Sequence, residues 1–114
     1  MSPNHPNFTH RDLVPCAKVM GVFNNRKRPY RPKSVLNISA MSFGSLSAKA
    51  IESLNVGAKE SGCFHNTGEG GLSMYHSNGA DVVFQFGTGY FGVRNADGSF
   101  SLDTLVQLVE NNPF

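Results

Sequence analysis

The sequence predicts a parallel α/β fold of about three strands and two helices. Three observations carry that expectation: short apolar runs of strand length, two amphipathic stretches with helical periodicity, and connections long enough for parallel crossovers, which need a dozen or more residues. Hydrophobic residues make up 39% and charged residues 16%, with 12 glycines among 114 residues. Such a composition belongs to a packed, loop-rich domain rather than a disordered tail.

Residues 1–33 hold five of the six prolines and little periodicity, so they read as an extended lead-in with few hydrogen-bonded elements. Within it, Arg26, Lys27, Arg28, Arg31 and Lys33 account for much of the formal net charge of +2. Pro29 and Pro32 interrupt that cluster and no aromatic platform follows it. A solvated approach to the first strand therefore suits it better than a nucleic-acid surface or a small basic binding module. Val35, Leu36, Ile38 and Ala40, broken only by Asn37, have the texture of a strand buried on both faces. The run ends at a turn through Met41, Ser42, Phe43 and Gly44.

The clearest helix follows. Leu46, Ala50, Ile51, Leu54 and Ala58 share one face, with Ser45 or Ser47 as its amino cap, Lys59 in its last turn and Gly62 as its stop. Ile51 and Leu54 are expected to be buried against the sheet. Cys63–Thr67 is a second strand, Gly68–Gly71 a glycine-rich loop, and Ser77, Asn78 and Gly79 a turn before a third strand at Val82, Val83, Phe84, Gln85 and Phe86. After a turn at Asn95, Ala96, Asp97 and Gly98, Ser101 caps a second helix. Its apolar positions Leu102, Leu105, Val106 and Val109 follow the i, i+3, i+4, i+7 rule, and Asp103 sits in the first turn. Asn111, Asn112, Pro113 and Phe114 stand where a further strand is expected. The chain thus reads as a lead-in, 1–33, followed at 34–114 by the first βα units of a larger domain truncated at its carboxyl end.

Several classes of function are disfavoured by the same residues. The apolar runs fall far short of the ~20 residues that span a bilayer, and the amino terminus has no signal-peptide core. Cys16 and Cys63 are too few for a disulfide framework and too far apart for a metal-binding pair, which suits a cytoplasmic protein with no metal. In parallel α/β folds, reactive groups gather at the carboxyl ends of the strands. Those ends read Ser39–Ser45, Asn66–Gly71 and Gln85–Val93, rich in Gly, Ser, Thr, Asn and Gln. They lack the His, Cys or paired carboxylates of a hydrolase triad, a metal centre or a glycosidase. No Gly-Lys-Ser/Thr phosphate loop is present. The composition favours backbone N–H groups and neutral side chains cradling a flat, hydrogen-bonding cofactor. His65 reads as a hydrogen-bonded core residue and His76 as a loop decoration. Asp81 and Glu60 read as surface or capping carboxylates. Phe84, Phe86, Tyr90 and Phe91 suit core packing between strands and helices more than a ring-stacking wall.

The run Ile38-Ser39-Ala40-Met41-Ser42-Phe43-Gly44-Ser45, then Asn66-Thr67-Gly68-Glu69-Gly70-Gly71, then Gln85 ahead of Gly89, Phe91, Gly92 and Val93, resembles the FMN-binding synthase domain of glutamate synthase over residues 34 to about 110. The lead-in Leu13-Val14-Pro15-Cys16-Ala17-Lys18 and the Gly-Thr-Gly-Tyr-Phe-Gly form of the third motif look like the shorter, stand-alone members that lack the glutaminase half. The resemblance implies an incomplete (β/α)8 TIM barrel with FMN at its carboxyl-end mouth and a small amino- or keto-acid substrate. The chemistry implied is hydride transfer from reduced flavin to an imino acid such as 2-iminoglutarate. Carried over by motif, Ala40, Met41 and Ser42 would line the flavin, Thr67 and Gln85 would hydrogen-bond its polar edge, and Glu69 would face the substrate as the catalytic residue. Phe84 stands where the family has a Lys and Tyr90 where it has an Arg, which removes positive charge expected near a dicarboxylate. Cys16 is internal, so it does not match the amino-terminal nucleophile of a glutaminase, and a structural thiol is the plainer reading. The resemblance also leaves a different reading: a non-catalytic piece without cofactor retention that self-associates through an exposed sheet edge or complements a missing half-barrel.

Overall fold

The computed structural model describes residues 16–112. Leu13, Val14 and Pro15 of the lead-in and the Pro113 exit lie outside the described residues. The elements are helix α1 (Ala48–Ser61), strands β1 (Phe64–Asn66) and β2 (Asp81–Val83), and helix α2 (Leu102–Asn111), with single 3₁₀ turns at Val22–Asn24 and Met74–His76.

β1 and β2 run parallel, pairing Phe64 with Asp81, His65 with Val82 and Asn66 with Val83. The first expected strand joins the other side of β1 only at Ile38, whose N–H donates to Phe64 O at 3.0 Å while its own carbonyl accepts from Asn66 N at 3.1 Å. The sheet therefore has two strands and a bridging residue where the sequence suggested three strands. Local side chains explain the loss, because short polar groups compete with a ladder for backbone partners. Ser34 Oγ accepts from Leu36 N, Asn37 Nδ2 donates to Ser34 O, and Asn37 Oδ1 takes the Phe64 N–H that a neighbouring carbonyl would otherwise hold. Val35 and Leu36, expected on a doubly buried strand, are 52% and 70% exposed.

α1 forms where the pattern placed it. Ser47 Oγ accepts from Ala50 N at 3.2 Å, and Gly62 closes the helix at φ 71°, a left-handed conformation that glycine adopts without a Cβ clash. Its buried positions are Ile51, Asn55 and Ala58. Leu54, expected in the core, is only half-buried. The helix is rotated so that Asn55 rather than Leu54 faces the sheet, because three polar groups converge on the Asn55 amide. α2 begins at Ser101, whose Oγ accepts from Thr104 N at 3.2 Å. None of its residues is buried, and Leu102 is 61% exposed.

Residues 16–33 of the lead-in are more ordered than their prolines suggest. Met20 and Tyr30 exchange N–H···O bonds of 2.7 and 3.0 Å around the Val22–Asn24 turn. Arg31 Nε donates to Cys16 O at 2.8 Å, and Cys16 is buried. Tyr30 OH donates to Asp81 Oδ2 at 3.0 Å, which ties the lead-in to the first residue of β2. Partial burial and this carboxylate neighbour push the Tyr30 phenol up to about 12.

Candidate functional site

The stretches 39–45, 66–71 and 85–93 meet at the carboxyl end of the sheet. Met41 N donates to Asn66 O at 3.2 Å, joining the first stretch to the end of β1. Thr67 N donates to Val83 O at 3.0 Å, and Gln85 N donates to Thr67 Oγ1 at 3.1 Å, joining the second to the third. Gly68, at φ +70°, lies so close to Ser42 that an added Cβ would stand 2.9 Å from Ser42 N. A side chain there would push the first two loops apart. Gly71 and Gly92 touch through their backbones, and the Glu69 carboxylate rests against Gly87.

Each expected site residue can be placed on this surface. Ala40 and Glu69 are exposed, while Met41, Ser42 and Gln85 are half-buried. Thr67 is fully buried, with its hydroxyl donating to Gly68 O at 2.9 Å and accepting from Gln85 N. Its side chain thus works inside the loop junction. Ser42 Oγ pairs with Ser45 Oγ at 2.8 Å, and Ser42 O accepts from Leu46 N at 3.1 Å, so the turn before α1 is locked. In the third loop Tyr90 adopts φ 51°, strained for a residue with a Cβ, with its N–H held by Gly87 O at 2.9 Å.

Phe86 and Phe91 do not pack a core as expected, while Phe84 and Tyr90 are half-buried. Phe86 stacks on Phe100 at 5.7 Å between centroids, Tyr90 tilts onto Phe100 at 5.5 Å, and Arg94 lies 4.5 Å over Phe91. Phe86, Phe91 and Phe100 all remain exposed. The described residues offer this third loop no covering layer, so its rings stack laterally on one another.

Sequence reasoning missed a buried polar hub behind the first loop. His76, expected on the surface, is fully buried, because the 3₁₀ turn Met74–His76 packs on α1. Its Nδ1 accepts from Ser73 N at 3.1 Å and lies 2.7 Å from Ser73 Oγ, while its Nε2 lies 3.0 Å from Met41 O. Asn55 Nδ2 donates to His76 O at 2.7 Å and to His65 Nδ1 at 3.1 Å, and Asn55 Oδ1 accepts from Asn78 N at 2.7 Å. His65 is fully buried as expected, and its Nε2 finds no hydrogen-bond partner among the described residues. Burial, then the nearby His76 ring at 5.2 Å, lowers the His65 pKa below its ordinary 6.5. Asn55 is a polar residue inside a helical apolar face, and that was the available signal for the hub.

Among the described residues no cluster of three or more His, Cys, Asp or Glu could hold a metal, and no helix is long and apolar enough to cross a membrane. A cleft of about 380 Å³ lined by Leu72, Ser77, Asp81, Val82 and Asn112 opens beside the start of β2.

An α/β unit with glycine-rich loops gathered at the carboxyl ends of parallel strands defines the class. The family model for the conserved region in glutamate synthase matches residues 7–107, and the chain belongs to that family. It is 45% identical over 98 residues to the glutamate synthase large subunit-like protein YerD of Bacillus subtilis, covering 84% of this chain and 18% of that protein. It is 35% identical over 94 residues to a glutamate synthase large subunit-like protein of Rhizobium meliloti, covering 82% of this chain and 21% of that protein. Over 56 residues, 48% of this chain and 11% of the relative, it is 45% identical to the archaeal glutamate synthase (NADPH) of Archaeoglobus fulgidus. The chain therefore spans about a fifth or less of the length of these curated relatives. No solved structure matches the chain.

Proposed function

We propose that this chain supplies the first βα units of a (β/α)8 barrel that binds FMN and works as a glutamate synthase-type oxidoreductase. The observation that carries the reading is the convergence of the three loops at one end of the parallel sheet, where such barrels place their chemistry. Held there in its reduced form, the flavin would supply hydride to an imino acid such as 2-iminoglutarate.

The residues present fit that group. Close packing of Gly68 and Gly70 on Ser42, and of Gly71 on Gly92, draws three backbones into one surface with little side-chain bulk. Ala40, Met41 and Ser42 would form the wall against which the ring is held. Gln85 would donate to its polar edge, with Thr67 holding the Gln85 backbone in place. Neutral, preorganised donors stabilise the negative charge of a reduced ring, and that is the protein's share of flavin chemistry. Glu69, exposed beside Gly87, faces the substrate and is the candidate to hold or move a proton there. Phe84 and Tyr90, in place of a Lys and an Arg, favour a substrate with less negative charge than a free dicarboxylate.

Gln85→Ala in the complete flavoprotein tests the reading. A hydrogen bond to a charged partner contributes about 1.5–3 kcal/mol, so FMN affinity should fall roughly ten- to hundredfold, or the reduction potential should move. Unchanged affinity, spectrum and potential would remove Gln85 from the site.

A further inference from the structure

We propose that His76 is a positioning residue: through its bond to the Met41 carbonyl it fixes the 41–42 peptide and aims the Ser42 N–H into the carboxyl-end site. The inference rests on the flavin reading for its consequence, though not for its geometry.

The tautomer follows from the donors around the ring. Ser73 N–H points at Nδ1 from 3.1 Å, so Nδ1 must present its lone pair, and the Ser73 hydroxyl at 2.7 Å donates to the same atom. A neutral imidazole has one ring hydrogen, which therefore sits on Nε2, the atom 3.0 Å from Met41 O. The ring has no freedom to present its acceptor to that carbonyl. The backbone of His76 is held as firmly, since its own carbonyl takes the Asn55 amide at 2.7 Å from α1. The donor to Met41 is thus anchored to the helix through one fully buried side chain and to the preceding turn through another residue.

Met41 is held from both sides. Its N–H is taken by Asn66 O at the end of β1, and its carbonyl by His76. No peptide among the described residues is cis, and across a trans peptide the carbonyl and the following N–H point in opposite directions. Drawing Met41 O toward the buried ring therefore turns the Ser42 N–H away from it. Gly68 passes so close to Ser42 N that an added Cβ would stand 2.9 Å from it. A backbone donor fixed in advance does not have to reorient when a negative charge develops nearby. Without His76, the Met41 carbonyl loses its only buried donor among the described residues and the peptide can rotate.

Two variants separate positioning from folding. In His76→Asn, the shorter amide keeps an acceptor near Ser73 but cannot reach Met41, whereas the terminal amide of His76→Gln lies near the position of Nε2. The first readout needs no flavin: ¹⁵N NMR of the full chain, labelled at His and Ser. The wild type should show the Nε2–H tautomer, H76N should move the Ser42 amide resonance and speed its exchange, and H76Q should reverse much of that change. An Nδ1–H tautomer, or a Ser42 amide indifferent to H76N, overturns the proposal. The second readout is FMN titration of the complete flavoprotein. For reduced FMN, H76N should weaken binding about ten- to hundredfold, the loss of one charge-assisted bond, with H76Q recovering most of it. Equal affinity in wild type and H76N overturns the positioning role. Absence of FMN binding by the wild type would instead strike the flavin reading, leaving the NMR result to decide the geometry.

Discussion

Replacing Asn55 with Leu sets two physical arguments against each other. By apolar patterning alone the change should stabilise the chain, because position 55 lies on the stripe with Ile51 and Ala58 and is fully buried. Burying a leucine side chain is favourable by about 1.5–3 kcal/mol. The Asn55 amide, however, serves His65 Nδ1, the His76 carbonyl and the Asn78 N–H. His65 and His76 are themselves fully buried, so water cannot take over their bonds, while Asn78 is half-buried and can find a substitute. Each buried group left unpaired costs about 1–3 kcal/mol in addition to the bond that is lost. The polar penalty exceeds the apolar gain, and a net destabilisation of about 2 kcal/mol is expected. With a urea slope of about 1–3 kcal/mol per molar, the unfolding midpoint of the full chain should drop by about 1 M, read from the helical circular dichroism signal. A midpoint equal to or above the wild type would refute the view that Asn55 organises this core.

Ile51→Ala should destabilise the chain by about 2–5 kcal/mol, as a fully buried residue does, and Leu54→Ala by distinctly less, because Leu54 is half-buried; denaturation midpoints in the reverse order would reverse the assigned helix face. His65 should make the fold acid-sensitive. Its pKa is lowered in the fold, so the unfolded chain binds the extra proton first; stability is full above the ordinary 6.5 and declines as pH falls from there through the folded value. His65→Gln should flatten that decline in chemical unfolding at a series of pH values, and an equally steep decline in the variant would assign it elsewhere. The chain alone should hold FMN weakly and should self-associate. Barrel phosphate sites usually come from the loops after strands seven and eight, and Leu36, Leu102 and Phe23 are largely exposed. Micromolar binding in a fluorescence titration by a chain that scatters light as a monomer would contradict both.

The parts of the fold legible in the sequence are those fixed by residues close together in the chain. Ser47, Gly62 and Ser101 set three helix ends because a cap needs only a hydroxyl or a glycine and the next turn of backbone. The parallel pairing of β1 with β2 was legible from the length of the connection between them. Strand extent was not. Val35 and Leu36 advertise a wish for burial, yet apolarity names no partner, and Ser34 and Asn37 satisfy the backbone locally instead. The loops of the candidate site were visible as glycine-rich motifs. The support behind them was hidden, since the bond from His76 to Met41 crosses 35 residues and neither side chain announces the other.

That hidden support bears on how such a site tolerates substitution. Among the described residues, buried Cys16, Ile51, Ala58 and Val93 are accompanied by buried Ser34, Asn55, His65, Thr67, His76 and Ser101. An apolar contact survives small rotations, whereas a hydrogen bond weakens steeply with angle, so a core rich in polar pairs fixes direction as well as distance. The route from Asn55 through His76 to Met41 passes that directional constraint from α1, behind the sheet, to a peptide in the loop at its end. Thr67 carries a similar constraint from the end of β1 to Gln85. Conservative apolar replacements along these two routes should therefore shift ligand geometry before they unfold the chain wherever the lost bond can be rebuilt by water. At Asn55, His76 and Thr67, all fully buried, water is excluded, so there an apolar replacement should cost stability first.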